Sequence, residues 1–85
     1  MRVRSVPVLD EVVRDDEAVV LVGGQVLRVS PLAHSLRTLA ADWTGLEELA
    51  AGLAERHGAP DGDAVELLRA VVADLQGAGL VETGE

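Results

Sequence analysis

The chain has 85 residues, of which 48% are hydrophobic, and fifteen acidic residues against seven basic ones give it a formal net charge of −8. A chain this short forms one small domain, residues 1–85 with a core over about 8–82, and it excludes a large multi-site enzyme. Its apolar content excludes a disordered chain, and its acidity disfavours a surface that attracts phosphate.

The absence of cysteine excludes disulfides, thiolate metal sites and thiol nucleophiles. No basic segment followed by an apolar segment opens the chain, and no apolar run reaches the roughly 18 residues that a membrane span needs. We therefore expect a cytoplasmic protein that has no membrane partner.

The first thirty residues are rich in valine and are broken by glycine and acidic residues, a pattern typical of short strands. The predicted strands cover residues 8–14, 18–22 and 25–29, with residues 15–17 as the first turn. Gly23-Gly24 predicts a two-residue hairpin turn, because glycine accepts the positive φ angles that such turns require.

Leucine and alanine at helical spacing dominate the rest of the chain. Ser30 as N-cap and Pro31 as the first helical residue predict a helix that reaches about Trp43. Its buried face is expected to contain Leu32, Leu36, Leu39, Ala40 and Trp43. Thr44 and Glu47 form a potential capping box for a second helix that ends near His57.

Asp63 and Glu66 repeat this capping pattern before a third helix that reaches about Gln76. Leu80 and Val81 are then expected to fold back onto the core as an apolar latch. Three strands followed by three helices predict an α+β, winged helix-turn-helix-like domain with a three-stranded antiparallel sheet.

Residue types with catalytic potential are few. The potential nucleophiles are Ser5, Ser30 and Ser35, and the potential bases are His34 and His57. Ser30 is explained as an N-cap, His57 as a residue that complements a helix C-terminus, and His34 as part of a polar helix flank. The two histidines lack a chelating spacing. We therefore expect no catalysis, no metal and no cofactor.

The second and third helices also match the order of a DNA-binding helix-turn-helix. Arg69 is the only basic residue of the third helix, which also carries Glu66 and Asp74, and Asp61 and Asp63 precede it. These carboxylates would repel phosphates, so we expect no nucleic-acid partner. A winged-helix transcription factor remains the alternative function.

The third helix carries two adjacent apolar stripes, which together cover an arc of about 160°. The first contains Val65, Leu68, Val72 and Leu75, and the second contains Ala64, Leu67, Val71 and Ala78. Either this helix packs on two sides or one stripe lines a groove.

The outer strands of the predicted sheet differ in the residues that prevent pairing with a further strand. Charged residues and proline have this effect: the first strand has Pro7, Asp10 and Glu11, whereas the strand at 25–29 has only Arg28. Its edge is therefore open to a peptide strand, or to the same strand of a second copy.

Four segments, residues 18–22, 24–31, 44–50 and 74–82, together resemble the PqqD-like family. These domains recognise the precursors of ribosomally synthesised, post-translationally modified peptides. The resemblance implies a non-catalytic protein of natural product biosynthesis, such as the small partners of lasso-peptide proteases. It would bind the leader region of a precursor peptide and present it to a protease, cyclase or radical enzyme.

The resemblance also implies where the leader binds. It would add an antiparallel strand to residues 25–29 and place its side chains against the third helix, with Arg28 and Arg69 available to pair with its carboxylates. The implied contact residues are Gln25, Val26, Leu27, Arg28, Val29, Leu67, Leu68, Val71, Val72 and Leu75.

Overall fold

The valine-rich segment forms an antiparallel meander, and a second sheet joins the two ends of the chain. This computed structural model describes residues 1–15 and 17–84, which form a small α+β fold of three helices and two three-stranded antiparallel sheets. The elements are β1 (Arg2–Ser5), β2 (Asp10–Arg14), β3 (Glu17–Val22), β4 (Gln25–Val29), α1 (Pro31–Leu39), β5 (Thr44–Gly45), α2 (Leu46–His57), α3 (Ala64–Gly77) and β6 (Val81–Gly84).

The meander has the strand order β2-β3-β4, which confirms the three predicted strands. Gly23 and Gly24 form the turn between β3 and β4, with φ angles of +56° and +76°. Both values lie in the left-handed region that glycine adopts without steric cost. Of the predicted turn at residues 15–17, Asp16 lies outside the described residues.

α1 begins as predicted and ends earlier than predicted. The Ser30 side chain accepts a hydrogen bond from the backbone N–H of Ala33, and Pro31 is the first helical residue. The helix ends at Leu39, so the prediction that it reaches Trp43 is wrong. Trp43 lies in the following turn, where its N–H donates to the Asp42 carboxylate, and its side chain is exposed rather than buried in the core.

The predicted capping box at Thr44 is also wrong. The N-cap of α2 is Gly45, which makes no side-chain capping bond. The Thr44 hydroxyl instead donates to the carbonyl of Asp42 at 2.9 Å, and its backbone pairs with Val3. The cap of α3 is confirmed, because the Asp63 carboxylate accepts from the backbone N–H groups of Val65 and Glu66.

The second sheet has the strand order β5-β1-β6, which the sequence did not predict. The predicted latch leads into this sheet. Leu80 and Val81 are both buried, and β6 begins at Val81. Val3 of β1 is fully buried between its partners. On the other face, Arg4 pairs with Glu82 and lies 4.5 Å from the centre of the Trp43 ring.

The core lies between the meander, the second sheet and the three helices. Its most completely buried large side chains are Leu36, Leu49, Val3, Val20 and Val72. Arg37 of α1 is also buried, and it donates to the carbonyls of Val6 at 2.9 Å and Leu80 at 3.3 Å. A buried charge is tolerated when its donors are used in this way.

Candidate functional site

The candidate site is the outer edge of β4 and the surface of α3 beside it. In the described part of the chain, no strand pairs with β4 on the side away from β3. β6 pairs with β1 instead, so the C-terminal segment does not occupy this edge. β4 therefore has an open hydrogen-bonding edge.

The hairpin turn determines which backbone groups are free at this edge. In a two-residue turn the flanking residues, here Val22 and Gln25, form a hydrogen-bonded pair. Bonded and non-bonded pairs alternate along an antiparallel ladder, so Leu27 and Val29 also bond to β3. The N–H and C=O groups of Val26 and Arg28 therefore point away from β3 and are free.

A first cavity, which we call the strand-side cavity, lies between β4 and the C-terminal half of α3. It has a volume of about 360 Å³. Its walls include Leu27 and Val29 of β4 and Val71 and Leu75 of α3, and Leu80 also lines it. A strand added to β4 would direct every second side chain over this cavity, because side chains alternate between the faces of a sheet.

A second cavity, which we call the helix-side cavity, lies between α2 and the N-terminal half of α3. It has a volume of about 120 Å³, and its lining includes Leu32, Leu53, Leu67 and Val71. Val71 lines both cavities, so the two are neighbours along α3. The apolar surface that begins at β4 therefore continues to the α2 side of α3.

The ten predicted contact residues occupy different places in this arrangement. Leu27, Arg28, Val29 and Leu75 line the strand-side cavity, Leu67 and Leu68 line the helix-side cavity, and Val71 lines both; Gln25, Val26 and Val72 line neither. Val26 points to the outer face of the sheet and is 70% exposed. Val72 is 2% exposed and belongs to the core, so it affects the site through its packing and is not available for contact with a peptide.

The two stripes of α3 also differ in burial. Leu68, Val72 and Leu75 of the first stripe are buried, while Leu67 of the second stripe is 49% exposed and Val71 is partly buried. The helix therefore packs its first stripe into the core and leaves the second stripe to line the cavities. The sequence allowed α3 either to pack on two sides or to line a groove with its second stripe, and this difference in burial favours the groove.

Several residues that line the two cavities were not predicted from the sequence. Ser30, Ala33 and Asp74 line the strand-side cavity, and Leu32 and Pro60 line the helix-side cavity. Asp74 was identifiable, because it lies three positions after Val71 on the same face of the helix. Leu32 was instead assigned to the core face of α1, yet it is 37% exposed.

The charges near the site are few and of both signs. Arg28 is largely exposed, with its Nε 4.0 Å from a carboxylate oxygen of Glu17. Asp74 stands on the facing wall of the strand-side cavity. Arg69 lies about 200° around α3 from Val71, and its Nε is 3.7 Å from Glu66. Arg28 is therefore placed to meet a guest at this groove, and Arg69 is not.

Two of the potential catalytic residues lie close together. His57 Nε2 lies 2.9 Å from the hydroxyl of Ser35, which is buried. Among the described residues, no carboxylate hydrogen-bonds the other ring nitrogen of His57. His34 Nδ1 lies 3.5 Å from Glu11, beyond an effective hydrogen bond. Residues 1–15 and 17–84 contain no group of three or more His, Asp or Glu side chains that could hold a metal ion.

Comparisons with protein-family models, with curated proteins and with solved structures found no match to this chain. Within the described ranges, no helix combines the length and the apolarity that crossing a membrane requires.

Proposed function

We propose that this protein binds the leader region of a ribosomally synthesised precursor peptide and presents that peptide to its maturation enzymes. The observation that carries the proposal is the open edge of β4 beside an apolar groove on α3. A free strand edge recognises the backbone of an extended peptide, and a neighbouring groove selects its side chains. The resemblance to PqqD-like domains supports the same mode of binding.

The backbone contribution comes from Val26 and Arg28. Each offers one N–H and one C=O, so a guest strand gains four hydrogen bonds. At about 1 kcal/mol net for each bond, they contribute about 4 kcal/mol. Association itself costs at least about that much in lost translational and rotational freedom. Backbone pairing alone is therefore too weak to hold a peptide.

Apolar side chains of the guest supply the remaining affinity. Burying one valine-, leucine- or phenylalanine-sized side chain contributes about 1.5–3 kcal/mol. Leu27 and Val71 form facing walls of the strand-side cavity, between which such a side chain fits. The proposed ligand is therefore an extended peptide with apolar residues at alternate positions.

The proposed mechanism is tethering without chemistry on the peptide. A bound leader keeps the rest of the precursor close to an associated protease, cyclase or radical enzyme. The reaction at that enzyme's active site then depends on an effective concentration set by the length of chain between leader and core. No group of this protein needs to contact the reacting atoms.

Hydrogen exchange at individual amides tests the proposal. The probe is a synthetic peptide with the N-terminal half of a short precursor encoded beside this gene, and a scrambled peptide of the same composition is the control. In the free protein, the Val26 and Arg28 amides should exchange faster than those of Leu27 and Val29. The leader, and not the scrambled peptide, should slow the exchange of Val26 and Arg28.

Binding that leaves the Val26 and Arg28 amides unprotected would contradict strand addition at β4. Protection of all five β4 amides in the absence of peptide, in a manner that depends on protein concentration, would instead favour pairing between two copies.

A further inference from the structure

The helix-side cavity is lined without a single polar side chain. Its ten lining residues are all leucine, alanine, valine, glycine or proline. Two of the leucines, Leu32 and Leu67, remain 37% and 49% exposed. Large apolar side chains exposed around a concave surface indicate a binding site more often than isolated ones do.

This cavity lies next to the proposed peptide site. Val71 lines both this cavity and the strand-side cavity. Leu32 follows the end of β4 by three residues, so the cavity lies toward the Val29 end of the strand. A peptide that pairs with β4 and continues past Val29 therefore reaches the helix-side cavity next.

We propose that the helix-side cavity holds one bulky apolar side chain of the peptide that pairs with β4, an inference that rests on the proposed function. The side chain belongs to the part of the peptide that precedes the paired segment. This direction follows because antiparallel pairing is the more stable arrangement, and it places the N-terminal end of the guest beside Val29.

The size and chemistry of the cavity define the anchor. Its volume is about 120 Å³. An engineered apolar cavity of about 150 Å³ binds benzene, so a volume of this order suits one ring, one branched aliphatic group or one thioether chain. A charged or amide side chain would lose its hydration without gaining a partner. The anchor is therefore leucine, isoleucine, methionine or phenylalanine.

A side chain of the same peptide is a better occupant than a second copy of this protein. Each copy carries a formal charge of −8, so electrostatic repulsion disfavours the association of two copies. A second anchor on an already bound peptide also avoids the cost of a separate association.

The first experiment selects peptides from a displayed random library on the full chain and locates their binding by amide exchange at β4. We expect the selected peptides to share one of the four anchor residues at a fixed distance before the segment that protects Val26 and Arg28. Replacing that residue with alanine should weaken binding by about 10- to 100-fold.

The second experiment fills the cavity. Ala64 lines it from the first turn of α3, whereas Ala70 is exposed on the same helix and lines neither cavity. Ala64→Leu should weaken the anchored peptide to the affinity of its alanine derivative and leave that derivative unaffected. Ala70→Leu should change neither affinity, and denaturation midpoints confirm that both variants fold.

The outcomes separate this inference from the proposed function. Selected peptides that protect β4 without a preferred apolar residue before the paired segment would overturn the anchor site alone. Equal effects of Ala64→Leu on the anchored and alanine peptides would do the same. A library that yields no peptide protecting β4 would overturn both proposals.

Discussion

At the scale of single residues, some positions of α3 stabilise the fold and others on the same helix are available to bind a peptide. Leu75 is 8% exposed and packs in the core, although it also forms part of the strand-side cavity. Val71 is partly buried, and the uncovered part of its side chain faces both cavities. A charge introduced at these two positions should therefore have different consequences.

Leu75→Asp is expected to cost about 3–5 kcal/mol of unfolding free energy, because it buries an unpaired carboxylate. Val71→Asp should cost about 1–2 kcal/mol, since its carboxylate reaches water through the cavities. The same change should weaken leader binding at least about tenfold by removing a shared apolar wall. Urea denaturation and peptide titration measure the two effects.

Ala73→Asp is the matched control for the added negative charge, because Ala73 is exposed on α3 and lines neither cavity. Its peptide affinity should stay close to that of the parent protein. Equal losses of stability in Val71→Asp and Leu75→Asp would mean that α3 packs on two sides and leaves no groove.

At the scale of elements, alternate residues of β4 hydrogen-bond to β3, and the residues between them leave their backbone N–H and C=O groups free. Proline removes a backbone N–H, and sheets tolerate it where that N–H faces away from the ladder. Val26→Pro should therefore preserve the fold and weaken leader binding by about fivefold or more, the equivalent of one hydrogen bond. Leu27→Pro should unfold the domain, because it removes a bond to β3.

Circular dichroism and peptide titration check this pair of variants. A folded Val26→Pro protein with undiminished affinity would show that the guest does not pair with β4. A folded Leu27→Pro protein would show that the Leu27 N–H faces the free edge and that the Val26 N–H bonds to β3.

The elements that the sequence predicted are those whose signals are local. The β3–β4 hairpin follows from Gly23-Gly24 between two valine-rich runs, and the caps Ser30 and Asp63 lie next to the helices that they begin. The β5-β1-β6 sheet was not predicted, because β1 and β6 are short and half polar. Their pairing joins Arg4 to Glu82 across almost the whole chain, which no local pattern shows.

The same distinction applies to the candidate site. The spacing of Leu67 and Val71 on α3 is enough to predict a second apolar stripe from the sequence. The contribution of Leu32 was not predictable, because it depends on how α1 packs against α2 and α3 rather than on its position within α1. Sequence spacing defines one wall of the groove, and tertiary packing defines the other.

At the scale of the whole molecule, Arg37 connects the two sheets through the interior. Its donors reach the carbonyl of Val6, just after β1, and that of Leu80, just before β6. Its NH1 also lies 3.5 Å from the carboxylate of Glu11 in β2. Leu80 also lines the strand-side cavity, so the same hydrogen bond holds a residue of the proposed site in place.

Arg37→Met should therefore lower the unfolding free energy by about 2–4 kcal/mol. It removes the Arg37 donor from the Val6 carbonyl, one of two donors from the Leu80 carbonyl, and the guanidinium group beside Glu11. Arg37→Lys should recover only part of this loss, because one ammonium group lacks the planar fork that reaches several acceptors. Arg56→Met, at an exposed position in the last turn of α2, should cost less than about 1 kcal/mol. Urea denaturation of the three variants tests the role of Arg37. Equal midpoints for Arg37→Met and Arg56→Met would show that the contacts of Arg37 do not stabilise the fold.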